Sequence, residues 1–162
     1  MAVTGISQGM SGVIEMLYIS QELILQIKSK AERAYPNECC GFIFGSLKNS
    51  GKYAEYIAAS TNSSAADEQY HRFIITPDAM MNAERFARSN GWDIVGFYHS
   101  HPDCPAVPSE FDTANALPVY SYIIVSAVKG KAEALLSWEL DRETDYTQFQ
   151  SETIILTKEN YK

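Results

Sequence analysis

The run Asp93-Ile94-Val95-Gly96-Phe97-Tyr98-His99-Ser100-His101-Pro102 constrains this chain more than any other stretch. Its apolar and aromatic first half predicts a buried strand. Behind it, Pro102, Pro105 and Pro108 impose a stiff turn before Ser109-Glu110-Phe111-Asp112, where a helix can begin. On extended backbone His99 and His101 project to one face, about 7 Å apart at their α-carbons. Ser109 stands where a helix N-cap would be, and Asp112 falls in the same first turn, so one helix end presents a hydroxyl and a carboxylate together. Two imidazoles and a carboxylate make three ligands. That is the number a catalytic zinc takes from protein, at bonds of about 2.0–2.1 Å, while its fourth position stays open to water.

Each fragment also has an ordinary reading. A His-x-His pair is often the polar face of a strand, and Ser-Glu-Phe-Asp is most often a capped helix start with an acidic first turn. Asp103 is a rival ligand by proximity to His101, but one residue beyond a proline it reads better as a turn-favouring loop carboxylate. What favours a site is the adjacency of the two fragments across one rigid loop between a strand end and a helix start.

The pattern His99-x-His101-x10-Asp112, with Ser109 three before the aspartate, resembles the JAMM (MPN+) metallopeptidases. Those proteins also carry an upstream glutamate in a Pro-x-Glu-x-Cys-Gly-like segment, and Pro36-Asn37-Glu38-Cys39-Cys40-Gly41 is similar to it. The resemblance runs from about Leu17 to about Thr153, with no departure at the catalytic positions. It implies a Zn2+ held by His99, His101 and Asp112, with Glu38 as general base and Ser109 as a catalytic hydrogen-bond donor to the oxyanion. A zinc in such a site lowers the pKa of its water from 15.7 towards ~7, and losing one oxyanion donor typically costs about 10²–10³ in rate. For Glu38 the ordinary alternative is a solvated carboxylate at a helix-to-strand junction.

Composition sets outer limits. A chain of 162 residues with 46% hydrophobic content suits one domain with a single core, here residues 17–162 after a flexible leader over residues 1–16. That leader lacks a basic n-region and a long apolar core, so it does not read as a signal peptide. A net charge of −7 argues against nucleic acid as a partner, and no apolar run approaches the ~18 residues that span a bilayer. Three cysteines, Cys39, Cys40 and Cys104, form an odd set in which the adjacent pair cannot readily staple a fold, which points to a reducing cytoplasm. Cys104 reads as a bystander or as a thiol near the metal.

Elsewhere the chain alternates helices and strands. Ser20–Ala34 predicts a helix with Leu23, Ile24, Ile27, Ala31 and Ala34 as its apolar stripe. Cys40–Phe44 and Tyr53–Ala58 predict a hairpin about Asn49-Ser50-Gly51, followed by a polar loop over Ser60–Gln69 with freedom to move. Thr76-Pro77-Asp78 starts a helix that ends near Asn90-Gly91. A short helix over Ser109–Ala116, strands over Ser121–Ala127 and Lys131–Leu140, and an edge strand at Ile154–Leu156 complete an α/β fold. The expected architecture is a mixed β-sheet flanked by helices, consistent with the cytidine-deaminase-like fold that the resemblance implies.

Deamination itself is disfavoured, because zinc deaminases need His-x-Glu and Pro-Cys-x-x-Cys, which this chain lacks. A non-catalytic MPN scaffold with a structural zinc is the other alternative; such sites usually close the fourth position with Cys or His, and Cys104 is the nearby candidate. The resemblance is to short stand-alone prokaryotic members. It implies hydrolysis of the peptide or isopeptide bond after the C-terminal Gly-Gly of a ubiquitin-like or sulfur-carrier protein. The alternative within that class is a deconjugating isopeptidase of a bacterial ubiquitin-like modification system. The residues separate neither these substrates nor oligomeric states. Because no apolar insertion falls near His99, the expected approach to the site is a narrow groove without a deep side-chain pocket.

Overall fold

A computed structural model describes residues 16–69 and 74–158; apart from Met16, the leader lies outside them. The chain runs β1 (Met16–Ser20), α1 (Gln21–Ala34), β2 (Cys40–Lys48), β3 (Gly51–Ser60) and α2 (Pro77–Ser89). It continues through β4 (Asp93–Pro102), α3 (Glu110–Asn115), β5 (Ser121–Val128) and β6 (Lys131–Leu140), then a 3-10 turn, to β7 (Phe149–Thr157). The helix starts follow the local chemistry. Ser20 Oγ accepts from the Leu23 amide at 3.2 Å, and Thr76 Oγ1 accepts from the Ala79 amide at 3.2 Å with Pro77 in the first turn. Both satisfy amides that the helix itself cannot.

The strands form one mixed sheet in the order β1-β3-β2-β4-β5-β6-β7, and β7 returns to pair with β1, closing it. β1 lies parallel to β3 and β7, and β4 parallel to β5, while the other neighbours are antiparallel. A parallel pair needs a crossover. Between β4 and β5 that crossover is the proline loop and α3, so the topology itself suspends the predicted helix start over the end of the site strand.

Two apolar layers hold the helices. Leu23, Ile24, Ile27 and Ala31 of α1 pack with Leu17, Ile43, Val95, Tyr98, Ile123 and Val125. Ala83 and Ala87 of α2 pack with Phe42, Phe44, Phe97 and Tyr122. Gly41 is required where β2 meets β4, because a Cβ there would collide with the Tyr98 ring and the Ala58 carbonyl.

Closure of the sheet departs from the sequence expectation in two places. β1 occupies the start of the expected domain, and β7 is a nine-residue strand paired on both sides rather than an edge. A buried polar cluster ties the closing strand to its neighbours. Lys52 Nζ, on β3, lies 2.8 Å from Glu152 of β7 and 3.4 Å from Glu139 of β6. Ser121 and Ser137 donate to the same Glu152 carboxylate at 3.0 and 2.7 Å. A buried ion pair is tolerated when its remaining lone pairs are satisfied, and here four strands share that task.

Candidate metal centre

His99 and His101 sit near the end of β4, both buried, and Asp112 is buried in the first turn of α3. His99 Nε2 lies 3.1 Å from His101 Nε2 and 3.3 Å from Asp112 Oδ1, and His101 Nε2 lies 3.1 Å from Asp112 Oδ2. Two ligands about 2.1 Å from a tetrahedral centre stand about 3.4 Å apart, so the three donor groups have the spacing of a zinc ligand set. His101 Nδ1 lies 2.9 Å from the Pro105 carbonyl oxygen. Donation there fixes the tautomer whose Nε2 carries the lone pair, the usual outer-shell support of a metal-binding imidazole. Ring lone pairs and carboxylate oxygens facing one another at these distances call for a cation among them, and the residues present fit Zn2+.

Without a cation the three groups share protons at these same atoms. Burial works to raise the Asp112 carboxyl, but hydrogen bonds from His101 and His99 outweigh it and hold Asp112 well below the usual carboxylate range. Burial pushes His99 down, towards the neutral form that binds metal. Burial also acts to lower His101, yet its bonds to Asp112 and the Pro105 carbonyl leave it raised, so a metal entering here displaces the proton that Nε2 shares with Asp112.

The loop between β4 and α3 is pinned from several sides. Asp103, at φ 54°, accepts from the Tyr35 hydroxyl at 2.7 Å and the Lys129 amide at 2.8 Å, so it faces away from the site and the rival-ligand reading falls. The Cys104 carbonyl accepts from Ser126 Oγ at 2.6 Å, and the Ala106 carbonyl accepts from Trp138 Nε1 at 3.0 Å. Between them stands Pro105, whose carbonyl meets His101. Cys104 is outside the converging ligand group of the described residues. Ser109 caps α3 as expected: its Oγ accepts from the Asp112 amide at 3.1 Å, and its own amide donates to Asp112 Oδ2 at 2.8 Å. The hydroxyl proton remains for a further acceptor.

Glu38 is buried beside this group, and Oε2 has no hydrogen-bond partner among the described residues. Burial pushes its carboxyl from an ordinary 4.5 up to about 8, against the lowering influence of His101 and with a raising one from Asp112. Its segment is tied to β4 by Ser100, whose Oγ accepts from the Cys39 amide at 2.9 Å. The loop expected to be free over Ser60–Gln69 is tethered at the same point: the Glu38 amide donates to the Gln69 carbonyl at 2.6 Å, and Asn62 Nδ2 donates to the Glu38 carbonyl at 3.4 Å. Ser100, Asn62 and the Pro105 carbonyl gave no sequence signal. Their roles depend on backbone groups that only the fold brings near.

A pH dependence follows for the metal-free protein. A carboxyl raised on folding binds its proton more tightly in the native state. Stability therefore falls as pH rises from about 4.5, the ordinary value, through about 8. Glu38→Gln is expected to remove that decline, so its stability advantage over the parent grows across the window. Urea unfolding at several pH values, with chelator present, checks this; an advantage that shrinks with pH would contradict it.

The expectation of a groove without a deep side-chain pocket is corrected by the structure. A cavity of about 330 Å³ adjoins His99 and Asp112, walled largely by apolar side chains from the approach to α2, β4, α3 and β5. No insertion was needed, because residues distant in sequence line it.

A mixed sheet between helices, with a His-His-Asp cluster at the junction of β4 and α3, defines a JAB/MPN-type domain. The family model for prokaryotic homologues of the JAB domain matches residues 20–141, and the chain belongs to that family. Among curated proteins it is 35% identical over 92 residues to a desampylase of Haloferax volcanii, covering 56% of this chain and 63% of that one. It is 33% identical over 75 residues to a desampylase of Pyrococcus furiosus, covering 46% and 49%. A tail tip assembly protein K of Escherichia phage N15 is 30% identical over 95 residues, covering 58% and 34%. The chain thus spans less than two thirds of the length of each of these relatives. The solution structure of a Desulfitobacterium hafniense protein has a TM-score of 0.76 at 28% identity, covering 89% of this chain and 94% of that one. No helix among the described residues is long and apolar enough to cross a membrane.

Proposed function

We propose that this chain is a zinc-dependent metallopeptidase that hydrolyses the peptide or isopeptide bond after the C-terminal Gly-Gly of a ubiquitin-like or sulfur-carrier protein. The observation that carries the reading is the convergence of His99, His101 and Asp112 beside a buried carboxyl at Glu38. The desampylase relatives favour the deconjugating form of this activity over sulfur-carrier processing. His99, His101 and Asp112 would hold the ion, which when bound supplies Lewis acidity and an acidified water. Glu38 takes the proton of the attacking water and delivers it to the amine as the carbon–nitrogen bond breaks. Hydroxyl thus ends on the acyl fragment and hydrogen on the amine. The Ser109 hydroxyl donates to the carbonyl oxygen as negative charge develops there. Remote contacts with the folded carrier supply binding that the glycines cannot.

The test compares one carrier extended beyond Gly-Gly with the same carrier bearing Gly-Ala or Ala-Ala at those positions. Cleavage of the first, at least ~10-fold faster than the others, is the expected result, since a methyl group is worth about 10-fold or more in a fitted channel. Equal cleavage of all three, or none with zinc bound, would reject the specificity.

A further inference from the structure

We infer that the cavity beside the metal centre is a subsite for one large, uncharged, apolar side chain of the substrate, close to the bond that is cut. The inference rests on the peptidase reading for its setting and on the cavity's own walls for its chemistry. Phe97 and His99 lie two apart on β4, and both border the cavity, so the strand face that carries a proposed ligand also carries the cavity floor. Asp112 and Phe111 border it likewise from α3. The cavity therefore opens beside the proposed ligands, within about two residues of extended chain, at ~3.3 Å each, of the reacting carbonyl.

His99 and Asp112 at its edge belong to the metal centre, and the other polar groups on its walls are already engaged. Thr76 Oγ1 takes the Ala79 amide, Asn115 Nδ2 donates to the Phe111 carbonyl at 2.8 Å, and the Tyr122 hydroxyl takes the Leu117 amide at 2.7 Å. What remains towards the cavity is the apolar surface of Ile75, Met80, Phe97, Phe111 and Leu117. An ionised side chain placed against these walls, away from the ligand edge, would lose its hydration without gaining a partner. A volume of about 330 Å³ is at the small end of ligand pockets, suited to a side chain rather than a whole cofactor. The side chain can come from the acyl side, upstream of Gly-Gly, or from the residue that leaves. Either source presents the same chemistry.

The experiment follows the methyl resonances of Ile75, Met80 and Leu117 in the zinc-loaded full chain by NMR. One arm titrates acetyl-Leu-Gly-Gly-amide and the other acetyl-Gly-Gly-Leu-amide, each with an aspartate-for-leucine control. At least one leucine peptide is expected to shift these methyls saturably, with its aspartate control about 10-fold weaker or silent. The arm that responds names the source. Leu117→Asp, at a half-exposed position that tolerates charge, should weaken the leucine peptide about 10-fold, and Met80→Trp should block it by filling the cavity. Absence of cavity shifts in both arms, or equal shifts with aspartate, overturns the inference. Selective shifts with no bond cleaved in any Gly-Gly carrier would uphold the subsite and reject the peptidase reading instead.

Discussion

Glu38→Gln is expected to keep about one zinc per chain and to lose about 10²–10⁴-fold in turnover, the range ascribed to general acid–base groups. The amide matches the carboxyl in shape but cannot take a proton from water. The segment should stay in place, because the Glu38 amide and carbonyl are anchored to Gln69 and Asn62 through the backbone, independent of the side chain. A raised carboxyl is also consistent with the role: burial holds Glu38 at about 8, close to the pH at which a base must both accept and release a proton. A nearby bound cation would draw that value down. Metal content by elemental analysis and turnover on a Gly-Gly-extended carrier check the two halves separately. Loss of zinc together with activity would assign Glu38 to the ligand set.

The second large effect concerns the ligands. His99→Ala and Asp112→Ala are each expected to reduce zinc from about one per chain to near zero after dialysis, with affinity down by more than the ~10–100-fold of outer-shell changes. The two variants should differ in stability. Asp112→Ala also removes the acceptor for the Ser109 amide and half of the capping arrangement at α3, a loss of about 1 kcal/mol on top of the metal effect. His99→Ala leaves that cap intact. Denaturation in chelator, where metal no longer contributes, separates the two contributions. Unchanged zinc content in either variant would remove that residue from the site.

The candidate site was legible in the sequence because its parts are local. A strand, a proline loop and a capped helix turn follow one another within twenty residues, and each carries its own signal. The two principal sheet-facing helices were legible for the same reason, from Ser20 and Thr76-Pro77 at their starts and Asn90-Gly91 behind the second. β7 was not. Phe149-Gln150-Ser151-Glu152 reads as polar chain, and its pairing with β6 and the burial of Glu152 against Lys52, a hundred positions earlier, are contacts that only the fold supplies. Lys52 itself reads as a solvated charge on a hairpin yet is 2% exposed. The apolar cavity escaped notice because Ile75, Phe97, Leu117 and Tyr122 come from four separated segments and look like ordinary core residues one at a time. Glu38 stands between these cases: its proposed role rests on family resemblance, and its burial beside His101 and Asp112 adds a physical reason.

X-ray absorption at the zinc edge on the full chain, purified without chelator, tests the central claim most directly. A catalytic centre of the proposed kind predicts about one zinc per chain. Its first shell would hold two imidazole nitrogens and carboxylate or water oxygens at about 2.0–2.1 Å, and no sulfur. A sulfur at about 2.3 Å, closing the fourth position with a cysteine, would mark a structural site and contradict the account.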